Sequence, residues 1–542
     1  MMRVRTHVVD LLTIAVTAFL LVASVIGPMS CDAQQPRAQR GGPAGAAPAG
    51  EINREVGLIL NTDEACPGYT LFAPKHFLFT YLMDNEGRVI NDWSSHYEPG
   101  QSVYLLENGN LLHCSFTKSG GFTRGGEGGR IEEYDWDGNL VCEFDYASDT
   151  YMAHHDIAPL PNGNILALAV EKKSYDECIA AGFRPDSLRD RELYPDYVIE
   201  IKPTPPSGGE IVWEWHVWDH LIQQNDPAKP GHGTVADHPE LISVDCNGRG
   251  AAAFWNHMNS IDYNADLDQI MLSVRGCSEL WIIDHSTTTQ EAAGHAGGRY
   301  GKGGDLIYRW GNPAAYDRGD EGDQMLFQQH DTQWIPEGCP GAGNILVFNN
   351  GLRRLPPGVT NSRDLPPVTV GKDWGYSSVD ELAPPVDADG NYELAAGAAF
   401  GPSELVWSYM AEPATDLFAE AISGCQRLPN GNTLICDGTS GVFFEVTPDK
   451  RTVWEYVCPV TGDGPIAQGD PIPLDERAHA MNAVFKITRH PLDHPGLAGR
   501  DLTPGPDLVG MEVTDVPENL SGGGGGRQQG DRQQGGRRGG GR

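Results

Sequence analysis

The sequence predicts an all-β protein, a six-bladed β-propeller closed by strands from both ends of the chain. Two repeats carry this reading. The first is a hairpin of two apolar runs around Asn-Gly-Asn. It occurs at VYLLENGNLLHC (residues 103–114), APLPNGNILALAV (158–170) and QRLPNGNTLICDG (426–438), with looser copies at 260–274 and 327–354. Asn-Gly between apolar runs is the strongest short hairpin signal, because the two-residue primed turns need positive φ at their centre. The second repeat is a strand ending in an aromatic residue. Its copies are GRVINDW (87–93), GNLVCEF (138–144), GEIVWEW (209–215), GDLIYRW (304–310), SELVWSY (403–409) and RTVWEY (451–456). Six such outer strands stand against five inner hairpins. NAVFKIT (482–488) supplies the missing inner strand and is expected to pair near FLFTYLMD (77–84). Closing the ring in this way hides the sheet edges.

Taken in order, the chain begins with Arg3 and Arg5, an apolar run over 11–26, and small residues. This reads as a secretory signal over 1–33, cleaved after Ala33, since the run is short for a spanning helix. A lipid on Cys31 is the less favoured alternative. Residues 34–76 read as a Gly/Ala/Pro/Gln linker and a short N-terminal segment. The propeller is assigned to 77–502, and 503–542 to a disordered tail rich in Gly and Arg. A ring grows by repetition, so one domain can absorb most of the 542 residues.

The formal net charge is −35, from 74 acidic against 39 basic side chains. That excludes nucleic acid as the main partner and implies an acidic, self-repelling surface. An anionic substrate then needs a local cationic pocket. The chain has 11 cysteines, and an oxidising compartment would allow some to pair. Cys425 and Cys436 flank one hairpin turn, and Cys114 and Cys142 share one blade. No Cys-x-x-Cys metal pattern occurs, and the spacing fixes no connectivity.

The hairpins also align three histidines. His155 lies six residues before Pro161, His330 six before Pro336, and His257 six before Tyr263; the other copies carry Gln101 and Ser423 there. Inner strands line a propeller's channel, so the three are expected at one mouth, from adjacent blades. A lone histidine is more often structural; three at one repeat position favour function. Counting about the turns sets Arg275 opposite His257 and Arg353 opposite His330, within the roughly 5 Å of cross-strand partners. Either arginine alone could be a loop surface residue. Three imidazoles alone suit zinc or copper. A fixed cation beside them opposes a divalent metal and favours an anion. Arg presents a rigid fork to a tetrahedral oxyanion, and a neutral histidine can act as nucleophile. The residues therefore point to transfer of, or binding to, a sulfuryl or phosphoryl group. No P-loop or Gly-rich fingerprint occurs, so no cofactor or nucleotide donor is implied.

Several segments carry a family resemblance. They are HHDIAPLPNGNILAL (154–168), WNHMNSIDYNADLDQIMLSVRG (255–276), GDLIYRWGNP (304–313), QQHDTQWIP (328–336) and the closing NAVFKITRHPLDHPGLAGRDL (482–502). The chain resembles the bacterial arylsulfate sulfotransferases, exported six-bladed propellers that move a sulfuryl group from a phenolic sulfate to a phenol without PAPS. The resemblance implies that His330 becomes sulfated and that His257 is an active-site histidine with Asn259 as its companion. It further implies that Arg275 binds sulfate and that His155 completes the set; His154 is expected to point away. Arg353 remains a candidate substrate contact. The implied partners are an aryl sulfate donor and a phenolic acceptor, with no nucleic acid, no stable membrane insertion after signal cleavage, and no resident metal. Characterised relatives carry a β-sandwich before the propeller that helps them dimerise. Here only residues 50–76 precede the first expected strand, so the oligomeric state stays open. The Pro-, Asp- and Gly-rich insertion 355–400 is placed to cover the mouth. Two alternatives stay open: a three-histidine metal-dependent propeller lyase or hydrolase, and a non-catalytic propeller module for sulfated ligands.

Overall fold

A computed structural model describes residues 50–521 apart from 118–121, 123–125, 249–252, 360–373 and 476–478. The expected signal segment and most of the Gly/Arg-rich tail lie outside the described residues. The fold is an all-β propeller. Strand pairing sorts into six four-stranded antiparallel units in sequence order. The second and third are joined by one parallel bridge between Gln101 and His155. Among the described residues, no helix is long and apolar enough to cross a membrane.

All six aromatic-ended segments form outer strands, including Val89–Ser94, Gly209–His216 and Tyr308–Trp310. Indoles on five of them stitch their sheet to the next. Trp93 donates to the Asp135 carbonyl at 2.8 Å, Trp310 to Pro402 at 2.8 Å and Trp407 to Pro448 at 3.0 Å. Trp454 of the sixth sheet donates to the Asn85 carbonyl of the first at 2.8 Å, which closes the circle. A buried indole needs a partner for its N–H, and the neighbouring sheet supplies it. Buried Arg–Glu pairs add to this: Arg427 meets Glu381 at 2.8 Å and Arg489 meets Glu445 at 2.5 Å.

The Asn-Gly-Asn hairpins form where expected, but with another turn. In the 158–170 copy the Gly163 N–H donates to the Leu160 carbonyl, the Leu160 N–H to Asn164, and only Gly163 has positive φ, at 84°. This is a longer loop, a four-residue turn followed by a glycine bulge, in place of the two-residue primed turn.

Closure also differs in detail. The C-terminal strand is Val484–His490, and its partner is Tyr69–Pro74, not 77–84. Phe79–Met83 is the next strand out. Gly57–Asn61 adds a fifth strand to the sixth sheet. Part of the segment expected to be a linker up to residue 76 is thus woven into the ring. The 355–400 insertion likewise contains a sheet strand, Ser378–Leu382. Its following stretch packs at the turn end of the Met258–Asn264 hairpin. There Tyr392 donates to Gln269 at 2.9 Å, and Gln269 donates to the Gly390 carbonyl at 3.0 Å. His257 stands at the opposite end of that strand, so this part of the insertion does not cover it.

Candidate active site

The three histidines come from the inner strands of the third, fourth and fifth sheets. His155 lies within Tyr151–Pro159, His257 directly precedes Met258–Asn264, and His330 opens His330–Trp334. Each strand is irregular there. Pairing shifts register between Ala153 and Ile157, between Met258 and Ser260, and between His330 and Gln333. His155 and His257 take left-handed φ of 54° and 50°, and the bulge around His330 puts it on Gln328 and Asp331, at 58° and 50°. Such bulges re-aim side chains that a regular strand would alternate across the sheet. The result is a cluster: the His155 and His257 rings are 5.1 Å apart. Phe485 of the closing strand lies beneath, 6.2 Å from His155 and 6.3 Å from His330.

Arg275 sits where the count placed it. Met258 pairs with Val274, and the Arg275 N–H donates to the His257 carbonyl at 3.2 Å. Its charge acts on both His257 and His330. The Cys246–Cys277 disulfide ties the turn just after it to the preceding loop. Cys114, Cys142, Cys425 and Cys436 are free.

Arg353 is a correction. His330 pairs with Phe348, because the hairpin is centred about two residues earlier than the count assumed and carries a bulge. Arg353 lies beyond the strand, exposed, with its N–H on the Trp374 carbonyl at 2.8 Å. Asn259 is fully buried, and its amide donates to the Gln329 carbonyl at 2.8 Å. That contact braces the backbone one residue before His330.

Two networks surround the histidines, and the first sets the His330 tautomer. Asn350 donates to the Ala419 and Ile422 carbonyls at 2.9 and 3.0 Å, which turns its oxygen toward His330 Nδ1, 2.8 Å away. His330 Nδ1 must therefore carry the proton, leaving the lone pair on Nε2. Burial, then the Arg275 charge, pushes His330 down to about 3, against the pull of Asn350 and the Gln328 backbone. The ring is neutral at any ordinary pH.

The second network was not legible in the sequence. His154 does not point away: its Nδ1 is 2.7 Å from His155 Nδ1, and its Nε2 is 3.0 Å from Asp196 in a fully buried pair. The His154 Nε2 lies within ion-pair range of Asp196 but without hydrogen-bond alignment, and one proton is shared between the two facing Nδ1 atoms of His154 and His155. Burial raises Asp196, while His154 and the Met258 and His257 backbone lower it. Burial, then the neighbouring histidines, holds His155 well below its usual value; burial, then Arg275, does the same for His257.

Deeper in the channel, Lys486 of the closing strand donates to Tyr104 at 2.7 Å, Asp156 at 3.1 Å and Asp331 at 3.3 Å. Burial pulls its ammonium down, but these partners hold it well above its usual value. Asp156 and Asp331 each follow a mouth histidine, so one cation ties both inner strands. A cavity of about 150 Å³ lies beside them, lined by Asp262, Gln426 and Lys486 among others.

The mouth thus combines neutral imidazoles with a fixed guanidinium. A divalent ion among them would meet the Arg275 charge, whereas a sulfuryl or phosphoryl oxyanion would be drawn by it.

Comparison with known proteins agrees with this chemistry. Arylsulfate sulfotransferase AssT of Lelliottia amnigena is 25% identical over 243 residues, 42% of this chain and 38% of that protein. AssT of Escherichia coli O6:H1 (strain CFT073) is 27% identical over 218 residues, 36% of this chain and 33% of that protein. The matches therefore span about a third of these curated relatives. Among solved structures, a Bacteroides caccae protein of unknown function aligns at TM-score 0.38 and 10% identity, over 78% of this chain and 98% of its own. Virginiamycin B lyase from Staphylococcus aureus aligns at 0.31 and 8%, over 80% and 97%. Scores this low bear on nothing in the chemistry. The family model described as arylsulfotransferase (ASST) matches residues 67–358, more than half of the chain, and includes His155, His257, Arg275 and His330. The chain belongs to the arylsulfotransferase family.

Proposed function

We propose that the protein moves a sulfuryl group from an aryl sulfate to a phenol through a sulfohistidine at His330. The observation that carries this reading is the His330 ring itself. It is buried, kept neutral beside Arg275, and locked by Asn350 with its Nε2 lone pair available. In the first half-reaction that lone pair forms the N–S bond as the S–O bond to the aryl group breaks. The electron pair leaves on the phenolate oxygen, which departs as the anion and takes its proton from solvent, because the buried His257 ring beside Arg275 is neutral. Arg275 holds the equatorial oxygens, where charge accumulates in a loose transition state. In the second half-reaction a phenol oxygen attacks sulfur, its proton passes to a histidine, and the N–S bond returns its electrons to His330. His155, neutral and beside His257, assists that deprotonation as a second base. Two half-reactions at one site give ping-pong kinetics.

The test is intact-protein mass spectrometry after brief exposure to an aryl sulfate without acceptor. One sulfuryl adduct should map to the His330 peptide and vanish when a phenol is added. His330→Ala should lose roughly 10⁴-fold or more in kcat. An adduct on another residue, or near-normal turnover by His330→Ala, would sink the mechanism.

A further inference from the structure

Outside the channel, a second cluster joins the third sheet to the fourth. His220 ends a short turn, Val217–His220, after the outer strand Gly209–His216. His295 and Asp305 lie between Glu279–Asp284 and Tyr308–Trp310 of the fourth sheet. His220 Nδ1 is 2.8 Å and His295 Nδ1 2.7 Å from the same oxygen, Asp305 Oδ1. The three candidate ligand atoms lie within 4.8 Å of one another.

The surroundings fix how His220 presents itself. Its Nε2 is 2.8 Å from the Ala292 carbonyl, which can only accept, so Nε2 carries the proton. In a neutral ring the lone pair is then on Nδ1, aimed at a carboxylate oxygen. Two lone pairs at that distance need a proton or a cation between them. Handing the far ring N–H to a backbone carbonyl is also how metal-bound histidines are oriented. The ring is clamped by Trp215, stacked at 5.6 Å and 9°, whose Nε1 donates to the Gly304 carbonyl at 2.7 Å. A Cβ at Gly304 would fall 1.9 Å from the Ala292 oxygen and 2.7 Å from His220 Nε2, so only glycine permits this approach.

Access is provided on one side. His220 and Asp305 are buried, whereas the His295 side chain is 61% exposed. His295 lines a cleft of about 490 Å³ together with Glu177 and Asp219. An ion can enter there and keep water as a fourth ligand.

We propose that His220, His295 and Asp305 bind one divalent transition-metal ion of the zinc class, which clips the third sheet to the fourth. Two imidazoles and one carboxylate suit zinc, whereas calcium and magnesium prefer all-oxygen sets. These two sheets carry His155 and His257, so the clip steadies the pair from outside without entering the reaction. The proposal is independent of the sulfohistidine reading.

The test uses the full, untagged chain, stripped with chelator and titrated with Zn²⁺ alone, with binding followed calorimetrically and unfolding by circular dichroism. One equivalent should bind and raise the melting temperature, since an ion that prefers the native state stabilises it. Asp305→Asn and the more conservative His295→Gln, both folded, should each weaken binding about 10–100-fold. His257→Ala should bind zinc as the parent does. No stoichiometric binding, equal binding by both site variants, or loss of binding in His257→Ala would overturn the proposal. In the first two cases the cluster is a proton-bridged ion triad only; in the third the ion belongs to the mouth.

Discussion

Asn350 offers a sharp test of why His330 should be reactive, because it touches the ring from the side away from the lone pair. Asn350→Ala removes the 2.8 Å acceptor of His330 Nδ1 and frees the ring to exchange tautomers. It also strips the Ala419 and Ile422 carbonyls of their donor. Buried groups left unpaired cost about 1–3 kcal/mol each, so the variant should be less stable but folded. Loss of an orienting partner costs roughly 10–100-fold, and a wrong tautomer up to about 10⁴-fold. The expected fall in kcat is therefore on the order of 10²–10⁴-fold, or about 2.7–5.5 kcal/mol of barrier. KM should change little, since Arg275 is untouched. Asn350→Asp separates orientation from charge. It keeps the acceptor, but a carboxylate there favours the imidazolium and raises His330 from about 3 toward its usual range. Its activity should be lost on the acid side and recover as pH rises. The assay is release of a chromogenic phenol from its sulfate, with acceptor present, between pH 5 and 9, beside a thermal melt. Full kcat in folded Asn350→Ala, with an unchanged pH profile, would refute the tautomer lock.

Arg275→Lys keeps the charge but replaces a two-pronged contact with a point charge. Turnover should fall by about 2–4 kcal/mol of transition-state stabilisation, measured as kcat/KM for the same chromogenic sulfate. Acid should destabilise the fold: His76 and His113 are pushed down to about 4, and His330 and His490 to about 3, burial being the first cause in each. Between those values and the unfolded value of about 6.5, the unfolded chain binds more protons, so each histidine removes up to about 1.4 kcal/mol of stability per pH unit as pH falls. Melts at pH 7, 6 and 5 should show that loss, and a flat profile would contradict the buried neutral state of these rings.

The repeats made the ring legible because they are local. An aromatic at the end of an outer strand and a glycine after a turn are set by nearest neighbours, and all six outer strands fell where expected. Arg275 was legible for the same reason, since four residues separate its strand from its partner's. His330 and Arg353 are joined through a longer turn, where a count error of a few residues moves the partner to Phe348. Tyr69–Pro74 was missed because YTLFAP lacks alternation, although Pro67-Gly68 supplies a turn signal directly before it. Asn350 reads as half of an Asn-Asn turn, and its role depends on carbonyls about 70 residues away. His154 was misplaced by assuming strict alternation, which the bulge at His155 breaks. Lys486 and Asp196 act across sheets, and no spacing within one hairpin reveals them.

Lys486 arrives on the last strand of the ring, beside Arg489, which bonds Thr70 from 419 residues away. Until that strand docks, Asp156 and Asp331 face a channel without their cation, and Phe485 is not yet beneath the histidines. The proposed active site is thus a late product of biogenesis. A nascent chain carries every mouth histidine, Arg275 and Asn350 in its first two thirds and still lacks the means to hold them together. Activity becomes a readout of completed synthesis: a chain cut short before the final strand should be inert as well as open, so premature chemistry is ruled out by topology.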